Sequence, residues 1–306
     1  MTASIEYLAS IFPSIIRQTT PILLVALCAG VCSKVKVFNI ALEGTLLTSA
    51  FFAFLTQYYV RNIWVAVLVA VLVAMLMTFV MSFFIVKLKG KPMIVGMAIN
   101  TFSLGFTTFL LSVIFDTKGV IKDPTMSGLT KVTLPFINEI PILGSMFSSL
   151  TILDYLAFVL AIVMYVIMYK TVIGFRLRAI GINDSAASSL GINVEKYQII
   201  ATTLSGGMIG LAGCLLSLGA VTLFIQNISS ARGYVALAAN NLCQGHPLGA
   251  LLSSLLFGIT KALAQVLQNT SIKQQLLECI PYISTIVAMA VYNVIARRRA
   301  KMLKVE

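Results

Sequence analysis

Charge is scarce in this chain, and acid is scarcest. Only 10% of the 306 residues are charged, with 10 Asp and Glu against 22 Lys and Arg. Soluble domains carry about 25% charged residues, so a soluble core is excluded. There is one histidine, and the five cysteines (Cys28, Cys32, Cys214, Cys243 and Cys279) form no C-x-x-C pair. No set of ligands at metal spacing exists, so no metal site is expected. The G-x-x-x-x-G-K-[ST] loop that would cradle ATP phosphates is missing, as is any Ser/His/Asp constellation. No catalytic residue is therefore expected, and the chain is not read as an enzyme. Met1 to Ser10 lacks the basic segment that opens a cleavable signal peptide. The period-two alternation of a membrane β-barrel is also lacking.

Long apolar runs fill the space that charge leaves. Ile63–Val86, Met93–Phe115 and Cys279–Ala296 are uncharged over 24, 23 and 18 residues. A spanning helix needs about 20. The chain reads as an all-α integral membrane protein with about 8–10 transmembrane helices. Spans are expected at 18–33, 39–60, 63–86, 93–115, 152–169, 198–224, 247–267 and 280–296, with an amphipathic stretch at Ile5–Ile16 before the first. The net charge of +12 does not indicate nucleic acid, because fourteen of the basic residues sit in four clusters at span ends. These are Lys34/Lys36, Lys87/Lys89/Lys91, Lys170/Arg176/Arg178/Lys196 and the tail from Arg297 to Lys304. Such clusters mark the cytoplasmic side and place the C-terminus there.

That orientation has a consequence for Gln226–Gly245. Span six ends outside and the span from Pro247 begins inside, so this polar stretch has to cross. Irregular backbone survives at membrane depth only beside protein or a water-filled path. A broken crossing segment is therefore expected, with Asn240 and Asn241 as candidates for a polar pathway. Glu43 is the other. It is the only charge between Val37 and Val60, within Asn39–Gly44, NIALEG. A carboxylate near the bilayer centre costs on the order of 2–3 kcal/mol unless it has a partner. Two readings stay open: it orients substrate or switches between states, or it sits at a helix start and is stabilised by the dipole. Asn39 accompanies it. Asn100, inside another apolar run, is read as a hydrogen-bonding tie between helices or a contact to a sugar hydroxyl. Val235-Ala236-Leu237 echoes Ile40-Ala41-Leu42 after a span of opposite direction, which suggests inverted repeats with the pathway between them. Gly206 and Gly210, at G-x-x-x-G spacing in span six, indicate close packing inside the bundle.

The loop 170–197 contains a readable short helix. Asn183 or Asp184 can cap its start and Gly191 its left-handed stop. Two turns are not stable alone and have to pack against something. Ile182, Leu190 and Ile192 flank it.

At these residues the chain resembles permease subunits of bacterial ABC importers. The motifs are FNIALEG, RAIGINDSAASSLGIN and ARGYVALAANNLCQGHPLGALL, in family order over nearly the whole chain. The resemblance is to the simple-sugar and nucleoside branch, related to ribose and branched-chain amino acid permeases. It implies one permease domain: a first repeat at 18–169, a coupling loop at 170–197, a second repeat at 198–296 and a basic tail at 297–306. Arg178, Gly181, Ile182, Asn183, Ala186, Ala187, Gly191 and Ile192 would form the contact with an ATP-binding subunit. Ala187→Arg is then expected to leave the chain folded but uncoupled. A second permease forming a heterodimer and an extracytoplasmic binding protein are further implied partners, beside membrane lipid. ATP and Mg would sit on the ATPase, with no cofactor in this chain. The location implied is the bacterial plasma membrane. The competing reading is an ion-coupled secondary transporter using Glu43.

Overall fold

The computed structural model describes residues 2–117, 119–123, 125–131, 150–219 and 221–268, with isolated positions 283, 286 and 290. The expected last span at 280–296, the basic tail and Cys279 lie outside the described residues. Ten described helices and one two-stranded ribbon follow in order: α1 (Thr2–Lys34), α2 (Leu42–Val60), α3 (Ile63–Val86), α4 (Pro92–Phe115), β1 (Val120–Lys122), α5 (Ile152–Lys170), α6 (Val172–Ile182), α7 (Asp184–Ser189), α8 (Val194–Leu218), β2 (Leu223–Ile225), α9 (Arg232–Cys243) and α10 (Pro247–Leu267).

Six of these are long and apolar enough to cross a membrane: α1 from Ile11, α3, α4, α5, α8 and α10. The expected spans at 63–86 and 247–267 recur with the same bounds. Three boundaries differ. The amphipathic start is not separate, since α1 runs unbroken through Pro13 and Pro21. The second span begins at Leu42 rather than Asn39, because Asn39–Ala41 is still irregular or turning. The sixth ends at Leu218, and Leu223–Ile225 pairs antiparallel with Val120–Lys122 instead of extending it.

Helices α1 and α2 form the centre. α1 packs on α10, α8, α9 and α5, while α2 packs on α3, α8, α4 and α9. In α1, 83% of the apolar window is buried, against 22% in α3 and 17% in α4. The latter two turn large apolar side chains outward, among them Leu68, Leu72, Leu76, Phe102 and Phe109. These faces suit lipid or a partner helix. The basic clusters within the described residues collect at one end of the bundle. There Lys87 and Lys89 meet Glu195, Lys36 meets Asp184, and Gln198 donates to the Val35 carbonyl.

Small residues set how closely the helices approach. α3 buries Ala66, Ala70, Ala74, Thr78 and Ser82, a ridge with four-residue spacing. Against it α8 places Gly206, Gly207 and Gly210. A Cβ on Gly210 would stand 2.5 Å from Val71 Cα and 2.8 Å from the Ala70 carbonyl. Backbones that touch in this way gain dispersion energy that no difference in solvation supplies within lipid. Gly210→Val should force α3 and α8 apart and destabilise the protein by about 1–3 kcal/mol. Gly105→Ala, at a position with no atom within 4 Å, should leave stability unchanged. Thermal unfolding of the detergent-purified protein separates the two.

Candidate functional site

After Lys34 the chain turns back into the bundle before α2 begins. Val35 and Lys36 close the turn onto the Cys32 and Ser33 carbonyls, with Lys36 in a left-handed conformation at φ 59°. Asn39 follows, buried, its amide nitrogen 3.8 Å from Cys32 Sγ. Asn100, eight residues into α4, holds the next step. Its Nδ2 donates to the Ile40 carbonyl at 3.0 Å and to the Tyr234 hydroxyl at 3.1 Å, and its Oδ1 accepts from Gly44 N at 2.7 Å. α2 has no cap of its own, because Ala41 stands at the N-cap. Asn100 supplies that cap from another helix. Of its two expected readings, the tie between helices is the one the geometry shows. Eight residues along a helix is about 12 Å, so α2 starts well inside the bundle.

Glu43 lies in the first turn of α2 and is 8% exposed. Its carboxylate does not serve its own helix. Oε1 accepts from Ser229 Oγ at 2.5 Å and from Ala231 N at 2.8 Å, and Oε2 accepts from Gly233 N at 2.7 Å. These donors form the start of α9, where Ala231 is the N-cap and offers no side-chain cap. The first N–H groups of a helix have no internal partner, and its dipole favours a negative charge there. Glu43 is thus a carboxylate at a helix start, in the first turn of α2, whose hydrogen bonds go to the start of the helix it faces. Gly233 makes the approach possible, since a Cβ there would stand 2.6 Å from Glu43 Cα.

The chain reaches this point from β2 through Gln226–Ala231, an irregular stretch with Asn227, Ser230 and Ala231 left-handed. α9 then runs to the basic end. Asn240 is buried and donates to Ser33 Oγ at 3.0 Å, and Lys34 Nζ donates to the Gln244 carbonyl at 2.9 Å. Asn241 is exposed. The polar stretch is therefore a half-irregular, half-helical crossing, as the orientation argument required. The echo of Ile40-Ala41-Leu42 in Val235-Ala236-Leu237 is not a superposition of equivalent positions. Leu42 opens α2, whereas Leu237 is five residues inside α9. The two motifs meet through their helix starts instead. Glu43 and Asn100 thus meet at the start of α2, Asn39 and Asn240 bond near the end of α1, and Asn241 is exposed.

Sequence reading missed Arg232 and its relay. Arg232 Nη1 donates to the Ile228 carbonyl at 3.2 Å, and Nη2 to Gln18 Oε1 at 3.1 Å. Gln18 Nε2 in turn donates to Gln265 Oε1 at 3.0 Å. Lys261, on α10, is half-buried. His246 caps α10, its Nδ1 accepting from Gly249 N at 3.4 Å.

The short helix of the basic loop is α7. Asn183 Oδ1 accepts from Ala186 N at 3.1 Å, and Gly191, at φ 81°, lets Ile192 N bond the Ala187 carbonyl at 3.2 Å. The expected contact residues divide into two sets. Ile182 is 83% exposed, Asn183, Ala186 and Gly191 are exposed and Ile192 is half-buried, and the flanking Leu190 beside them is 81% exposed. Ala187 is 2% exposed and faces its own chain. Ala187→Arg would therefore disturb this chain's packing, contrary to the expectation of a folded, uncoupled protein. Arg178 and Gly181 are half-buried. Arg178 lies 4.7 Å over the Tyr169 ring, and Gly181 abuts the Lys34 carbonyl. Lys36 Nζ bonds Asp184 at 3.0 Å. That hydrogen bond, with backbone donors, holds the Asp184 carboxyl below its ordinary range. The tie is thus complete at neutral pH and weakens only as pH falls through that lowered value.

A family profile described as branched-chain amino acid transport system / permease component matches residues 11–294. The guanosine ABC transporter permease protein NupQ of Bacillus subtilis (strain 168) is 29% identical over 267 residues, covering 85% of this chain and 83% of its own length. The nucleoside ABC transporter permease protein NupC of Lactococcus lactis subsp. cremoris (strain MG1363) is 28% identical over 299 residues, covering 94% and 93%. NupB of the same strain, also named a nucleoside ABC transporter permease protein, is 25% identical over 269 residues, covering 85% and 74%.

Removing the Glu43 carboxylate strands the Ala231 and Gly233 amides. Glu43→Ala should lower stability by about 3–5 kcal/mol, and Glu43→Gln, which keeps one acceptor oxygen, by about 1–2 kcal/mol. Equal thermal stability of both variants and the parent protein would show that the carboxylate does not hold α9.

Proposed function

The chain belongs to the family of branched-chain amino acid transport system permease components, and we propose that it carries nucleosides or related simple sugars inward as one permease of an ATP-driven importer. The observation that carries the substrate class is the end-to-end likeness to permeases named for guanosine and nucleosides. As a permease component it is a transport subunit, not a catalyst. It works with a separate ATP-binding subunit, which holds the ATP and Mg, and with an extracytoplasmic binding protein. Because one Lactococcus lactis strain has two such permeases that both match this chain, the second half of the pathway is a related but different chain. The basic end of the bundle is cytoplasmic by the positive-inside rule, in a bacterial plasma membrane.

Coupling follows from contacts that join end to end. α7 and the residues beside it present Ile182, Asn183, Ala186, Leu190 and Gly191 to the ATP-binding subunit. Its inner face is tied to the turn after α1 through Lys36–Asp184, and α6 through Gly181 against Lys34. That turn leads through Asn39 to α2, whose Glu43 holds the start of α9. A displacement of α7 by ATP binding would thus bear on the junction of α2 and α9 and shift it between outward and inward arrangements. Asn39, Glu43, Asn100 and Asn240 act here as the joints that keep the path in register, and Asn241 at the exposed face of α9 is the expected direct pathway contact.

The docking assignment is tested on the exposed pair. Ile182→Glu with Leu190→Glu should leave the permease folded while ATP-binding subunit recovery on co-purification drops at least tenfold and nucleoside uptake is lost. Full recovery of the subunit and normal uptake would refute it. Identification of co-purifying chains by mass spectrometry from native membrane tests the assembly itself: a homo-oligomer with no ATP-binding subunit would overturn the proposal.

A further inference from the structure

At the end of the bundle opposite α7 lies a cavity of about 170 Å³, bounded by α1, α5, α8, α9 and α10. One water needs roughly 10–15 Å³ of such space, so the cavity admits a solute. Its wall includes Gln18, Thr151, Asp154, Leu216, Arg232 and Gln265. Charged residues at membrane depth that face a cavity mark a route for polar solutes.

Arg17 also lines the cavity, and two other ionic groups of the wall, Asp154 and Arg232, bond within the protein, although the Arg232 Nε is buried with no partner among the described residues. Asp154 accepts from Thr20 Oγ1 at 2.6 Å, and from Thr151 N and Oγ1 at 2.8 Å each. Arg232 donates to two backbone carbonyls and to Gln18. The relay ends at Gln265, whose carbonyl oxygen accepts from Gln18 and whose amide nitrogen donates to no atom among the described residues. A donor at the end of a chain that starts on a guanidinium is polarised by it.

We infer that this cavity binds the sugar portion of the solute, a compact polyol, with Gln265 donating to a ring hydroxyl and Leu216 forming an apolar wall. The inference rests on the nucleoside and sugar reading above and adds where within the chain the solute is recognised. Arg232 links the cavity to the rest: it forms part of the floor and is the first residue of α9, whose start Glu43 holds.

The test uses the complete importer in proteoliposomes, with its ATP-binding subunit and binding protein, and labelled nucleosides. Leu216→Trp fills the cavity and should cut riboside uptake at least twentyfold, while the subunits still co-purify. Leu216→Ala, which removes wall but no polar group, should keep uptake within about twofold. Gln265→Leu should lower riboside uptake at saturation and reduce the rate ratio of riboside to 2′,3′-dideoxyriboside at least fivefold. Normal uptake by Leu216→Trp, or an equal loss of both nucleoside classes in Gln265→Leu, would overturn this site while leaving the importer reading intact. Failure of the unaltered importer to take up any nucleoside or monosaccharide would instead remove the substrate class, and this site with it.

Discussion

Two helices begin inside this bundle with their amino ends facing each other, and one carboxylate holds them together. α2 and α9 each present unpaired N–H groups and the positive end of a dipole toward the same point. Left alone, the two ends would repel and strand donors where no water reaches them. Glu43 converts that conflict into a joint. It is carried by α2 and accepts two backbone donors and one hydroxyl from the start of α9. Hydrogen bonds to a charged acceptor contribute about 1.5–3 kcal/mol each. The low-dielectric surroundings make their loss costlier than in water. Asn100 performs the matching task for α2, so neither helix start depends on its own sequence for a cap.

This arrangement needs room for close contact, and glycine provides it at two points. Gly233 lets the α9 backbone reach Glu43, and Gly44 lets α2 lie against Asn100. On the far side of α2, the Gly206–Gly210 pair lets α8 seat on the small-residue ridge of α3. The apolar residues of α3 and α4 that point outward contribute little to this internal packing. Their exposure leaves two broad faces for lipid or a second permease.

Much of this organisation could be read from the amino acids. Uncharged runs located α3 and α4, and the alternation of basic clusters demanded a polar crossing where α9 and its irregular approach are found. Asn183 and Gly191 marked the ends of α7 by local chemistry that needs no tertiary context. What resisted reading depended on contacts between distant positions. Glu43 and Ser229 are 186 residues apart, and nothing near Glu43 says which helix start it will cap. α7 is six residues long, too short for a periodic pattern to reveal that Ala187 points inward. The Arg232–Gln18–Gln265 relay joins three separated segments, and each residue alone looks like ordinary polarity at a span boundary.

The connections described for α9 close a circuit. α1 leads through its turn to α2, Glu43 joins α2 to the start of α9, and Asn240 and the Gln244 carbonyl return the far end of α9 to Ser33 and Lys34 on α1. In mechanical terms this is a closed linkage, and a closed linkage has no preferred direction of drive. Whatever free energy one side gains by moving the other, the other gains in return, because binding equilibria linked in this way are reciprocal. On the coupling and the cavity site proposed above, occupancy at the Arg232 side would alter the hold on α7 by the same factor with which engagement of α7 alters affinity at the Arg232 side. A linkage of this kind has no sender and no receiver, only two ends of one equilibrium.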